Sequence, residues 1–388
     1  MGRERGYMET VSLLRVESYG KELPSDVARL LEPLGGIQAF CHRGDKVLLK
    51  PNFIMARSAE SAATTHPAII ITMSKLLKDI GCEVAVGDSP GLGSATGVAN
   101  KLGLSSELKR YGVKVIELET VAPVDLTRSR PFDRRFKNLQ LAKEIGDYDR
   151  LINLAKLKTH GQMGLTLATK NLYGCVPGHN KAQWHFAIGN DPETFARLLL
   201  EIAFSANACL HIIDGIIGMD GNGPSNGRPR RIGLLLAGAN PLAVDRVVVE
   251  LIGQKPDYFP IFKAAAALDI PGGKLEEITV RGDPLDTCGI ADFQVPSLRG
   301  LNLFKNAAVN KVLGGLIRQR LELDEKLCTK CRRCETQCPA GAITFREKIR
   351  IADQQCIRCC CCQEMCPVGA LSVSTPLAVR ALRKLGLM

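Results

Sequence analysis

The sequence predicts a large α/β domain with a mostly parallel sheet, followed by a small cysteine-rich α+β domain. Three observations carry this. Short β-branched runs alternate with stretches of helical period from about Thr10 to Asp283. Of 15 cysteines, ten fall between Cys328 and Cys366. A chain of 388 residues, at roughly 100 to 200 residues per domain, needs more than one domain. Hydrophobic residues at 45% and charged residues at 23% are near globular averages, which excludes fibrous and wholly disordered chains.

The strands expected in order are Val11 to Val16, Lys46 to Leu49, Glu83 to Val86, Val113 to Leu118, Arg150 to Leu154, Leu210 to Ile213, Ile232 to Ala237 and Glu277 to Arg281. Helices are expected over Pro67 to Ile80, Pro192 to Ser205, Pro241 to Ile252 and Tyr258 to Leu268. Several open with Pro in the first turn or follow Asn or Asp, as helix starts do.

Ligands of such sheets bind at loops leaving the carboxyl ends of strands. Three segments there are rich in glycine and polar residues: GDSPGLG from Gly87, NLAKLKTHGQMG from Asn153 and DGIIGMDGNGPSNGRPRR from Asp214. They are read as loops around one pocket, with Asp88, Ser89 and Asn222 on its cofactor-binding walls. None matches the dinucleotide fingerprint or the P-loop, so no nucleotide is expected.

The domain boundaries follow: 1–285 for the α/β domain, 286–317 for a linker, 318–375 for the cysteine-rich domain and 376–388 for a basic terminal helix. From Ser297 to Arg320 basic residues alternate with apolar ones and no acid occurs, the pattern of an amphipathic packing helix. The N-terminus has no apolar stretch of signal-peptide length, and nowhere do about 18 apolar residues run uninterrupted. No membrane span is expected. The low aromatic content of 5% and the lack of a basic run argue against a nucleic-acid binder. Clustered cysteines speak for metal thiolates and a reducing, cytoplasmic location rather than a disulfide framework.

Cys328-x2-Cys331-x2-Cys334-x3-Cys338-Pro339 is followed by Cys356-x2-Cys359-x2-Cys362-x3-Cys366-Pro367. This is the bacterial ferredoxin signature, twice, in which the fourth cysteine of each run crosses to the other cluster. Two 4Fe-4S clusters are therefore expected, one on Cys328, Cys331, Cys334 and Cys366, the other on Cys338, Cys356, Cys359 and Cys362, in a bacterial ferredoxin-like domain. Cys360 and Cys361 fall outside the spacing and are read as shielding residues. From Arg318 onward, 13 Lys or Arg stand against 7 Asp or Glu. That excess suits docking of an acidic electron carrier such as a ferredoxin or flavodoxin.

A second constellation lies between Lys156 and His185: Lys156, Lys158, His160, Lys170, Asn171, His179, Lys181 and His185. Small and apolar residues surround Lys170, so its amine is expected to be partly buried and able to act as base or nucleophile. Lys158, His160, Lys170, Asn171 and His185 are the candidate catalytic residues. They would supply charge and protons, since reduction of most organic groups needs a proton with each electron pair.

VLLKPNF from Val47, THP at Thr65, GDSPG at Gly87, NLAKLKTH at Asn153, TKNLYGCVPG at Thr169, GNGP at Gly221 and NPLAVD at Asn240 together resemble the domain-of-unknown-function family numbered 362. The resemblance implies an α/β iron-sulfur protein and says little about activity. His160-x9-Lys170, Val176-Pro177-Gly178 and His185 also look like a stretch of lactate racemase-type proteins. That resemblance would make Lys170 a tether for a nickel-pincer nucleotide, His160 a proton-transfer residue and His185 a nickel ligand. The chain departs from it in having Ala168-Thr169 where that family has Gly-Gly, and in carrying the ferredoxin module. The reading is an iron-sulfur electron-transfer protein or oxidoreductase delivering electrons to a small-molecule substrate or cofactor in the α/β pocket. The alternatives are a non-catalytic electron-transfer adaptor and a racemase-like metal-cofactor enzyme.

Overall fold

One nine-stranded sheet organises the first two-thirds of the chain in the computed structural model, which describes residues 8–124, 132–298 and 320–374. The first strands are β1 (Glu9–Arg15), β2 (Lys46–Pro51), β3 (Glu83–Asp88) and β4 (Lys114–Glu117). A separate small hairpin, β5 (Val121–Pro123) and β6 (Gln140–Ala142), comes next. It is followed by β7 (Arg150–His160), β8 (Gly164–Thr166), β9 (Leu210–Asp220), β10 (Arg228–Gly238) and β11 (Ile278–Gly282). The order across the sheet is β11-β1-β10-β9-β7-β2-β3-β4, with β8 folded back on β7. Within it, β10 runs antiparallel to β1 and β9, and β8 to β7; the remaining pairings are parallel. The sheet is thus mixed and mostly parallel.

Strand alternation sends Leu48 to one face and Val47 and Leu49 to the other, and each face meets its own layer of helices. Leu23–Leu31, Pro67–Asp79, Ala95–Lys101 and Leu104–Arg110 cover one side, and Pro192–Ala206, Pro241–Leu251 and Pro260–Ala267 the other. The helix starts follow their sequence signals. Asp191 Oδ1 accepts from the backbone N–H of Glu193 (3.1 Å) and Thr194 (3.0 Å), with Pro192 in the first turn. Asp191→Ala should lower the urea midpoint by the equivalent of about 1 kcal/mol. An unchanged midpoint would mean that the cap contributes nothing.

Two of the three expected loops are largely strand. β7, β9 and β10 each run for 11 residues, so Asn153 to His160 and Asp214 to Asp220 stay within the sheet. The actual connections are short turns over 161–163 and 221–227. Lys156 and Lys158, within this segment, are both buried. Gly218 is required for close packing rather than for a turn, since a Cβ there would sit 2.8 Å from the Leu157 carbonyl oxygen.

In the cysteine-rich region, β12 (Arg320–Leu323) pairs with β15 (Leu371–Ser374), and β13 (Ile343–Phe345) with β14 (Ile349–Ile351), both antiparallel. The two halves are entwined. Asp324 N donates to Ala370 O (2.8 Å) and Ala352 N to Ala342 O (2.8 Å), so each run's entry is bonded to the other run's exit. Of the linker expected over 286–317, residues 286–298 are described and carry no α-helix beyond the short turn Leu285–Thr287. The rest of it, with most of the helix expected over Ser297 to Arg320, and the terminal helix over 376–388 lie outside the described residues.

Candidate functional site

The cysteines converge on two small cavities. One is lined by Cys328, Cys331, Cys334 and Cys366, the other by Cys338, Cys356, Cys359 and Cys362 together with Cys360, which lies outside the repeated spacing. All these thiols are free of disulfides. Equivalent residues of the two runs adopt left-handed backbone, Lys330 with Arg358 (φ 56° and 54°) and Arg332 with Cys360 (φ 62° and 63°), which turns successive thiols inward. Ala342 N donates to Cys338 Sγ and Ala370 N to Cys366 Sγ, each at 3.2 Å. Donors aimed at sulfur stabilise thiolates and tune the metal they hold. Ile343, Leu371, Ile349 and Ile351 pack around the thiols and keep water away. At least four thiols per cavity, sulfur-directed N–H groups and an apolar shell fit a 4Fe-4S cluster.

This module docks on the carboxyl end of the sheet. Arg57 Nη2 donates to Asn226 Oδ1 (2.6 Å) and Cys366 O (3.1 Å), and Asn226 Nδ2 to Gln363 O (3.3 Å) and Cys366 O (3.2 Å). Asn222 Nδ2 reaches Leu371 O at 3.4 Å, and Gln363 Nε2 bonds Gly223 O (3.2 Å) and Asn222 Oδ1. The turn at Gly161 touches the module so closely that a Cβ there would lie 2.8 Å from Gln363 Oε1 and 3.2 Å from Cys360 Sγ.

Docking walls a partly open cavity of about 120 Å³ between the two domains. The sheet side contributes Lys50, Asn52, Asp88, Ser89, Lys158, Thr166, Lys170, Asn171, Tyr173, Lys181 and His185, and the module contributes Gln337, Cys361, Glu364 and Met365. Lys50 Nζ pairs with Asp88 Oδ1 at 2.8 Å. The pair lies against Gly174, where any side chain would overlap both groups. Lys158 donates to Asn52 Oδ1 (2.9 Å) and to the Ala63 carbonyl. Asn52, Asn171 and Asn153 form a buried amide chain (2.8 and 2.7 Å) that ties β2, β7 and the helix Ala168–Asn171 together. Lys181 Nζ donates to Ser89 O at 2.7 Å. Lys170 Nζ has no hydrogen bond or ion pair among the described residues and lies 5.9 Å from the centre of the Tyr173 ring.

Behind this wall His160 Nε2 faces Glu364 Oε1 at 2.5 Å. Its Nδ1 accepts from Gln162 N and Met163 N, both at 3.1 Å, which places the ring proton on Nε2, toward the carboxylate. Burial of Glu364 alone would raise its pKa, but the charges of His160 and Lys170 outweigh burial and hold it down at about 2. Burial, joined by the lysine charges, lowers His160 to about 4. Burial likewise lowers His185 to about 3, Lys181 to about 7 and Lys158 well below the usual lysine range, and it also lowers Lys170. At neutral pH the pocket therefore offers neutral imidazole, one amine titrating near neutrality and carboxylates already committed to partners.

Of the residues singled out in the sequence, Asp88, Ser89, Lys158, Lys170, Asn171 and His185 line the cavity. His160 lies behind Glu364 rather than on the cavity surface, and Asn222 binds the module away from it. Lys156 belongs to a different cluster with Asp214 and Tyr19. Sequence reasoning passed over Lys50, Asn52 and Glu364. A lysine inside the apolar run VLLKPNF signalled the first, whereas Glu364 was hidden inside the cysteine spacing.

The fold and its cysteine centres define a 4Fe-4S iron-sulfur protein with an electron-transfer role. Residues 320–367 match a 4Fe-4S dicluster domain. Residues 47–250 match the domain of unknown function DUF362, and the chain belongs to that family. A thylakoid-associated protein of Synechocystis sp. is 38% identical over 264 residues, covering 68% of this chain and 80% of its own length. Among solved structures, the lactate racemase apoprotein of Thermoanaerobacterium thermosaccharolyticum superposes with a TM-score of 0.36 at 11% identity, covering 60% of this chain and 54% of that one. A Thermotoga maritima protein superposes with a TM-score of 0.33 at 15% identity, covering 56% and 55%. This chain thus spans about half the length of either structure. Among the described residues no helix is long and apolar enough to cross a membrane.

Proposed function

We propose that this protein is an iron-sulfur oxidoreductase with two 4Fe-4S clusters, held by Cys328, Cys331, Cys334 and Cys366 and by Cys338, Cys356, Cys359 and Cys362. Its electrons go to a small molecule in the interdomain cavity. The observation that carries this reading is the shared wall: Cys361, Glu364 and Met365 line the cavity, and the neighbouring Cys359, Cys360 and Cys362 line the second cysteine site. When bound, the clusters supply single electrons at low potential. The chain's own residues do the rest. Lys158 and Lys170 offset negative charge developing on the acceptor. Lys181 and His185 hold and move protons. Asn52 and Asn171 orient the lysine-bearing elements, and the docked module narrows the access of water. His160 acts through Glu364, fixing the carboxylate that faces the cavity. An acidic ferredoxin or flavodoxin would supply electrons at the basic module, in a reducing, cytoplasmic setting.

Anaerobic purification should yield about eight iron and eight sulfide per chain. The reduced protein is then mixed with fractionated small-molecule extract while the visible band is followed. At least one fraction should reoxidise the native protein but not Lys170→Ala or His185→Ala, both with unchanged iron. Reoxidation by protein carriers only would favour the adaptor reading. Fewer than about six iron with firmly held zinc would undo the cluster assignment.

A further inference from the structure

The charges around the cavity do not balance. Four lysines line it, Lys50, Lys158, Lys170 and Lys181, against two carboxylates, Asp88 and Glu364. Both carboxylates are engaged, Asp88 with Lys50 at 2.8 Å and Glu364 with His160 at 2.5 Å. Lys158 and Lys181 are left with neutral oxygens only, those of Asn52, Ala63 and Ser89. Lys170 has no polar partner among the described residues. The three come from separate elements, β7, the helix Ala168–Asn171 and the helix Gly178–Ile188, and they converge on one volume. A second kind of group points the same way. Thr166 is 4% exposed and lines the cavity, and its hydroxyl has no hydrogen-bond partner among the described residues. Lys158 is fully buried, and Lys170 and Lys181 are partly exposed where they meet the cavity. An ammonium group largely withdrawn from water without a counter-charge is destabilised, and like charges facing one another add to that cost. A negatively charged occupant removes both penalties at once.

We propose that the interdomain cavity binds a small oxyanion, a carboxylate or a phosphate, with Lys170 as its principal ligand, Lys158 and Lys181 as flanking charges and Thr166 as a hydroxyl donor. The inference rests on the cavity being the reaction site, and it names the class of molecule reduced there. It explains why amines unable to pair within the protein are gathered beside the module: the anion completes the site and is held where electrons arrive. Burial lowers the proton affinity of Lys158, Lys170 and Lys181, and a bound anion would raise it again.

Equilibrium binding to the oxidised, cluster-loaded full chain tests this without any electron transfer. The probes are malonate, inorganic phosphate and neutral malonamide, compared by calorimetry and amide hydrogen exchange at constant ionic strength. Malonate or phosphate should bind, protect the peptides spanning 166–185, and leave the visible spectrum unchanged. Malonamide, of nearly the same shape, should bind at least tenfold more weakly. Lys170→Met should weaken the anion at least tenfold, as expected for loss of a charge-assisted hydrogen bond. Lys170→Arg should retain most of the affinity, and the exposed Lys263→Met should change nothing. Equal binding of malonate and malonamide, or binding of neither anion, would overturn the proposal whether or not Lys170→Met folds. A cavity that binds anions but accepts no electrons would leave it standing and sink the oxidoreductase reading instead.

Discussion

Cys366→Ala is expected to cost the protein about four of the eight iron atoms proposed for it, and to take them from the centre formed by Cys328, Cys331 and Cys334, not from the run in which Cys366 lies. The geometry behind this is direct: Cys366 lines the cavity of the first run and Cys338 that of the second. The entwined bonds Asp324–Ala370 and Ala352–Ala342 hold each fourth cysteine across the module. Double variants separate crossed from uncrossed ligation. Cys366→Ala with Cys331→Ala should lose no more iron than either alone, because both serve one centre. Cys366→Ala with Cys359→Ala should lose nearly all of it. Iron analysis alongside electron paramagnetic resonance of the reduced protein reads both results. The reverse pattern of losses would show that each run holds its own cluster.

Asp214→Ala should destabilise the α/β domain by about 3–5 kcal/mol, the range for breaking a buried ion pair. Lys156 Nζ lies 2.8 Å from Asp214 Oδ2, with both side chains at most 1% exposed. Tyr19 OH donates to Asp214 Oδ1 (2.6 Å), Lys156 Nζ also reaches Tyr19 OH (3.0 Å), and His66 N donates to Asp214 Oδ2 (2.9 Å). Removing the carboxylate strands an ammonium group, a phenol and a backbone N–H together. Burial already lowers the proton affinity of Lys156, and without Asp214 it falls further. In the variant the unfolded chain therefore binds more protons than the folded one between the lowered pKa and the normal lysine value. Its stability should rise with pH across that window. Lys156→Met with Asp214→Leu should recover much of the loss, since an apolar pair leaves no buried charge. Urea denaturation at two pH values measures all three effects. A loss under about 1 kcal/mol, or no recovery at high pH, would show that the pair is not buried as described.

Much of the fold could be read from the chain because its signals are local. Each of the eight expected strands lies on an observed one, and the helix starts at Pro67, Pro192 and Pro241 agree, since alternation, proline and capping residues act within a few positions. Reading went astray where burial contradicts composition. Residues 153–160 are read from the sequence as part of a loop around the pocket, yet they continue β7 into the core. The candidate site was half legible for the same reason. Lys170 and His185 stood out by type and company, whereas Glu364 gave no sign of serving a site more than 170 residues upstream.

The sequence by itself determined the alternation that makes a mostly parallel sheet, the two runs of cysteine spacing and the surplus of lysine and histidine between Lys156 and His185. Tertiary structure alone decided how those residues were shared out. Lys156 and Lys158 are two positions apart on one strand, with a register shift between them against β9. The first went to Asp214 and Tyr19, the second to the cavity. Likewise only docking of the module could set Glu364 against His160 and complete the cavity wall in front of them. The physical reason is that periodicity and spacing record which neighbours a residue has along the chain. The partner of a buried charge is chosen by whatever chain closure brings within about 3 Å of it, at the cost of leaving it unpaired otherwise.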